Sequence, residues 1–201
     1  MNGNDEVNEA LSYILKTGHC SLLLKNQLIN VCENTGLILG KRLYYFESWR
    51  IFHKLEFLES GKPPLSNGKL DLSKEYQGDH FKGLFHIHFE SMENLGFNLL
   101  KNFDKNATQI FNKAKAESDR NKIDDISIVL PHFLVIESER DMRDDNKITG
   151  ECIIYAEHNA KNYYLTLRAH NEDDLDVLRR LQPAINEYPE LKHTIIDSNI
   201  F

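Results

Sequence analysis

Gly-Glu-Cys-Ile-Ile-Tyr-Ala-Glu-His-Asn-Ala-Lys-Asn-Tyr-Tyr-Leu-Thr-Leu-Arg-Ala-His, residues 150–170, decides the fold class. Both halves are rich in β-branched and aromatic residues, and His158-Asn159-Ala160-Lys161 between them supplies turn chemistry. The stretch therefore reads as a β-hairpin from Glu151 to His170. Strand side chains alternate, which predicts Tyr163, Leu165, Leu167 and Ala169 on one face and Tyr164, Thr166, Arg168 and His170 on the other. The first face is core. On the second, Thr166, Arg168 and His170 could bind a phosphate, stabilise its charge and move a proton. A sheet face in ordinary contact with solvent has the same composition, so both readings stand.

Upstream, Gly83-Leu-Phe-His-Ile-His-Phe-Glu, residues 83–90, carries two histidines two positions apart. As a strand it sends Phe85, Ile87 and Phe89 inward and His86, His88 and Glu90 outward. As a helix it makes a stripe of Phe81, Leu84, Phe85, His88 and Met92, and the histidines diverge. On a strand, His86 and His88 with Glu90 could hold a metal. On a helix, one histidine could face the hairpin as general acid or base, a task suited to an unperturbed pKa of ~6.5.

Further out the pattern is helical. Val7, Ala10, Leu11, Ile14 and Leu15 predict an amphipathic helix over Glu6–Lys16, and Ser21 a cap for a second helix that ends before Gly36. Arg42 to Glu59 interleaves Tyr44, Tyr45, Phe46, Trp49, Phe52 and Phe57 with Arg42, Arg50 and Lys54. Such interleaving can stack unpaired bases, but helical periodicity is the stronger signal and assigns the stretch to the core. Gly61 to Gly78, with Pro63-Pro64 and Ser66-Asn67-Gly68, reads as a loop or linker. Met92–Phe103 and Ala107–Ala116 read as helices. Pro131 demotes Ile126–Val135 to an edge strand or an irregular segment. Arg140–Lys147 is a charge cluster suited to a solvated loop. Asp173–Asn186 predicts a helix lying on the sheet, with Pro183 near its end. The expected fold is α+β: a helical N-terminal region (residues 1–75), then a small antiparallel sheet with a C-terminal helix (residues 76–201).

Composition narrows the function. A formal charge of −7 argues against a general polyanion-binding surface and leaves room for a local basic pocket. Cys20, Cys32 and Cys152 are too scattered for a zinc knuckle and suit reduced thiols. Residues Met1 to Val7 lack the basic and apolar regions of a signal peptide, and no apolar run reaches the ~20 residues of a bilayer span, so a cytoplasmic protein is expected. No phosphate-binding Gly-rich loop, dinucleotide turn, nucleophile elbow, zincin helix or C-x-x-C pair is present. Enzyme classes with dispersed active sites remain.

The run Gly83-Leu-Phe-His-Ile-His-Phe, with Thr149-Gly-Glu-Cys-Ile-Ile-Tyr-Ala-Glu-His and Asn162-Tyr-Tyr-Leu-Thr-Leu, resembles a group of uncharacterised bacterial proteins. Helices followed by an antiparallel sheet also resemble the barnase, EndoU, colicin and RelE-like ribonuclease fold. The resemblance implies a metal-independent ribonuclease-like effector or toxin, acting in phage defence or in a toxin–antitoxin pair. Carried onto this chain, it implies His86 or His88 as acid/base group with Thr166, Arg168 and His170 on the sheet. Tyr164 and Lys82 are the expected substrate contacts. RNA and a protein such as an antitoxin or activator are the expected partners; no cofactor and no membrane are expected. The acidic net charge departs from the basic surfaces of small ribonucleases. Two alternatives stay open, a non-enzymatic protein-binding or regulatory module and a metal-binding enzyme using His86, His88 and Glu90.

Overall fold

In the computed structural model, which describes residues 2–61, 73–77, 81–89, 92–137, 151–193 and 195, the chain is an α+β protein. Its elements run α1 (Gly3–Ile14), β1 (His19–Cys20), α2 (Leu22–Cys32), β2 (Leu37–Leu39), β3 (Arg42–Tyr44), α3 (Ser48–Ser60), β4 (Lys74–Glu75) and β5 (Leu84–Phe89). They continue with α4 (Met92–Arg120), β6 (Glu151–His158), β7 (Lys161–Arg168) and α5 (Asp174–Asn186), followed by a 3-10 turn at Pro189–His193. Contacts divide the chain into two units, Met1–Ser66 with Leu70–Phe89 and Gly150–Phe201, and Asn67–Lys69 with Glu90–Thr149. The boundary expected near residue 75 thus falls inside the first unit, because the N-terminal helices and the sheet share one core.

In the first unit five strands pair in the order β1-β7-β6-β5-β4. The β6–β7 hairpin is present, closed by Asn159 and Ala160, both at positive φ as a tight two-residue turn requires. The neighbouring pairs β5–β6 and β4–β5 are antiparallel, but β1 runs parallel to β7, so the sheet is mixed where a purely antiparallel one was expected. Alternation along β6 explains its unbroken apolar run. Ile153 and Tyr155 enter a core with α1, α2, α3 and the β2–β3 ribbon, while Cys152, Ile154 and Ala156 enter a second core with α5. Both faces of the hairpin are therefore covered, whereas the sequence suggested one polar, open face.

Local chemistry sets the helix starts. The side chains of Asn2, Ser21 and Asp173 accept hydrogen bonds from Asp5, Leu24 and Leu175 backbone N–H groups at the heads of α1, α2 and α5. Ser21 also donates to the Leu165 carbonyl at 2.6 Å, fixing α2 to the edge of β7. Beyond β1 that edge is closed by Gln27, whose Oε1 accepts from the Leu167 N–H at 2.8 Å.

The second unit, inserted between β5 and β6, contains α4 as one 29-residue helix where the sequence suggested two. Ile110, Ala114 and Ser118 are buried along it. Ile126–Val135 forms helical turns and no strand: a 3-10 turn at Ile126–Ile128, an α turn at Leu130–His132 and a π turn at Phe133–Glu137. Pro131 sits in the first turn of the α segment, where its missing N–H leaves no hydrogen bond unmade. The expected linker falls largely, and the Arg140–Lys147 cluster wholly, outside the described residues.

Candidate functional site

Residues 84–89 are a strand, so of the two readings open to the sequence the strand applies. Phe85, Ile87 and Phe89 pack toward the N-terminal helices, and the histidines take the α5 side of the sheet. Register then decides their neighbours. Lys74 pairs with His86, His86 with Ile154, and Ile154 with Thr166; in the next row His88 pairs with Cys152, and Cys152 with Arg168. His86, His88 and Arg168 thus share one sheet face and are all half-buried.

Tyr76, just past β4, organises this face. Its backbone N–H bonds to the Leu84 carbonyl at 2.9 Å, which lays the ring 4.4 Å from His86 and 4.8 Å from Phe81. The Arg168 guanidinium lies 5.1 Å from the Phe81 ring and 5.7 Å from that of Tyr76, and donates to the Tyr76 hydroxyl at 3.4 Å. It also donates to the Glu172 carbonyl at 3.3 Å and forms an ion pair with Asp174. The Cys152 thiol is 3.5 Å from the same hydroxyl. Burial is the main force raising the Tyr76 phenol above its usual range, and burial likewise pushes the Cys152 thiol up to about 11. Neither is a ready nucleophile at neutral pH.

The histidines differ from these. His86 and His88 meet edge to face with ring centroids 5.0 Å apart. Burial, then the neighbouring positive charges of His88, Lys74 and Arg168, lower the His86 pKa to about 4. A hydrogen bond with the Lys74 backbone works the other way without outweighing these effects, so the imidazole is neutral at physiological pH and can take a proton.

The remaining residues expected at the site fall elsewhere. Leu165 is an extra residue in β7: Ile154 pairs with Thr166 but Tyr155 with Tyr164, and the bulge between them flips the alternation. Tyr164 therefore points to the helix-side core, opposite to Thr166 and Arg168. It is 0% exposed, donating to Glu59 at 2.8 Å while Glu59 also accepts from the backbone of Lys16, Thr17 and Gly18. Thr166, also 0% exposed, donates to Gln27 and accepts from Arg180, whose guanidinium pairs with buried Glu172. Neither Tyr164 nor Thr166 is open to a substrate. β7 ends at Arg168, so His170 lies beyond the strand in an exposed turn and does not extend the row. Lys82 is exposed in the turn before β5.

Glu90, the third member of the metal set considered, lies outside the described residues, and among those described no three His, Cys, Asp or Glu side chains converge as ligands. Tyr76 and Lys74 were missed. A lone aromatic residue in a polar, Gly- and Pro-rich stretch was the available signal for Tyr76; nothing in the sequence singled out Lys74. No helix among the described residues is long and apolar enough to cross a membrane. In comparisons with known proteins, no family model, no curated protein and no solved structure matches the chain.

Proposed function

We propose that the protein is a metal-independent ribonuclease-like effector whose acid/base pair is His86 and His88. The observation that carries this is the pair itself: two imidazoles 5.0 Å apart on one sheet face, one held neutral by burial and by the positive charges beside it. Cleavage at such a pair needs only proton movement. Neutral His86 takes the proton of a ribose 2′-hydroxyl as O2′ bonds to phosphorus; the P–O5′ bond breaks, and His88 gives a proton to the leaving oxygen. The products are a 2′,3′-cyclic phosphate and a 5′-hydroxyl. Lys74 and Lys82, both exposed, are the groups offered to the phosphate, while Arg168 adds positive potential and fixes the Tyr76 ring against His86.

Tightly controlled expression in a bacterium tests the reading. The wild type is expected to arrest growth with visible RNA cleavage. His86→Ala and His88→Ala, at unchanged protein level, are expected to abolish both effects. His170→Ala is expected to behave as wild type. Arrest that survives both substitutions contradicts the assignment.

A further inference from the structure

We infer that the outer face of the β2–β3 ribbon, together with exposed Trp49 at the head of the following helix, is a docking surface for single-stranded RNA. The ribbon buries Leu37 and Leu39 and turns Ile38 and Leu43 outward as a cross-strand pair, 70% and 49% exposed. Tyr45 belongs to the same face. Leu43 Cδ1 and Tyr45 Cε1 lie 2.7 and 3.2 Å from where a Cβ at Gly36 would stand, and Gly36 has φ +81°. A side chain at Gly36 would displace Leu43, and the positive φ favours glycine there. Four residues on, Trp49 is 59% exposed, and Tyr45 itself is 48% exposed. Exposed apolar side chains grouped as Ile38, Leu43 and Tyr45 are mark a binding face.

Charge selects the occupant. The chain carries −7 overall, yet Lys41 and Arg42 stand exposed at the ribbon's turn, and Arg50 places its guanidinium 4.7 Å from the Trp49 ring centroid. Glu47 offsets part of that charge through its ion pair with Arg50 at 3.4 Å. Aromatic faces beside cations suit a ligand with both π-faces and phosphates, and a single strand offers the unpaired faces that a duplex hides. The inference rests on the ribonuclease reading for the choice of RNA, and its test is separate from cleavage.

Trp49 is the single tryptophan of the chain and is exposed beside Arg50, so its fluorescence reports on a ligand stacked there. The full chain is titrated with a short 2′-O-methyl oligouridylate, which lacks the 2′-hydroxyl that cleavage needs, and with a duplex of the same length. Saturable quenching by the single strand, at least about tenfold weaker with Tyr45→Ala, the loss expected for one base–aromatic stack, supports the proposal. Lys41→Glu with Arg42→Glu is expected to weaken binding of a labelled oligonucleotide further and to flatten its salt dependence. All of these side chains are exposed, and circular dichroism confirms the fold of each variant. Absent quenching, equal affinity for the duplex, binding that both variants leave unchanged, or a response to an acidic amphipathic peptide in place of the oligonucleotide overturns it. Binding retained by His86→Gln, with or without cleavage by the wild type, leaves the surface standing independently of the catalytic assignment.

Discussion

His86 is the residue on which the chemistry turns, and its environment makes a prediction that needs no substrate. The folded state releases the His86 proton at about 4, whereas an unfolded histidine keeps it to 6.5. Between these values the unfolded chain binds more protons, so stability falls as pH drops through that window and is fully present above it. Imidazole titration followed by NMR is expected to place His86 near pH 4, and His86→Gln to remove its share of the acid destabilisation. A His86 that titrates at 6.5 would contradict its burial and the pull of the charges beside it. The sequence revealed the two histidines and, given a strand, their common face. It could not reveal the depressed pKa, because beside burial and its neighbour His88 the causes include Lys74 and Arg168, which come from segments far apart in the chain.

At the scale of elements, the long strands and helices were legible and the short ones were not. The β6–β7 hairpin, α2 with its Ser21 cap and α5 were expected at nearly their observed limits, since period, cap and turn residues agreed. Strands β1 and β4 have two residues each, too few for any period, and they exist because β7 and β5 present edges to pair with. The bulge at Leu165 was equally hidden, and it alone reversed the expected face of Tyr164. Ser21 joins cap and edge: Leu24 donates to its hydroxyl, which donates to Leu165. Ser21→Ala should therefore cost about 2–3 kcal/mol, combining a lost cap with a buried carbonyl deprived of a partner. Urea unfolding checks this, and a loss under about 0.5 kcal/mol would contradict the dual role.

For the molecule as a whole, the sequence suggested helices first and sheet second, whereas the contacts draw a sheet unit interrupted by a helical insertion. Nothing local announces such an insertion, because β5 and β6 pair across some sixty intervening residues and a pairing partner leaves no mark on either strand's own period. The acidic net charge likewise hid the basic ribbon, a feature of placement and not of composition. The central claim, proton transfer by His86 and His88 without a metal, is tested most directly by incubating the purified chain with single-stranded RNA in excess chelator and identifying the product ends. The account predicts 2′,3′-cyclic phosphate and 5′-hydroxyl ends, formed by the wild type and by His170→Ala but not by His86→Ala or His88→Ala. Cleavage that requires added divalent metal, or that persists in both histidine variants, would contradict it.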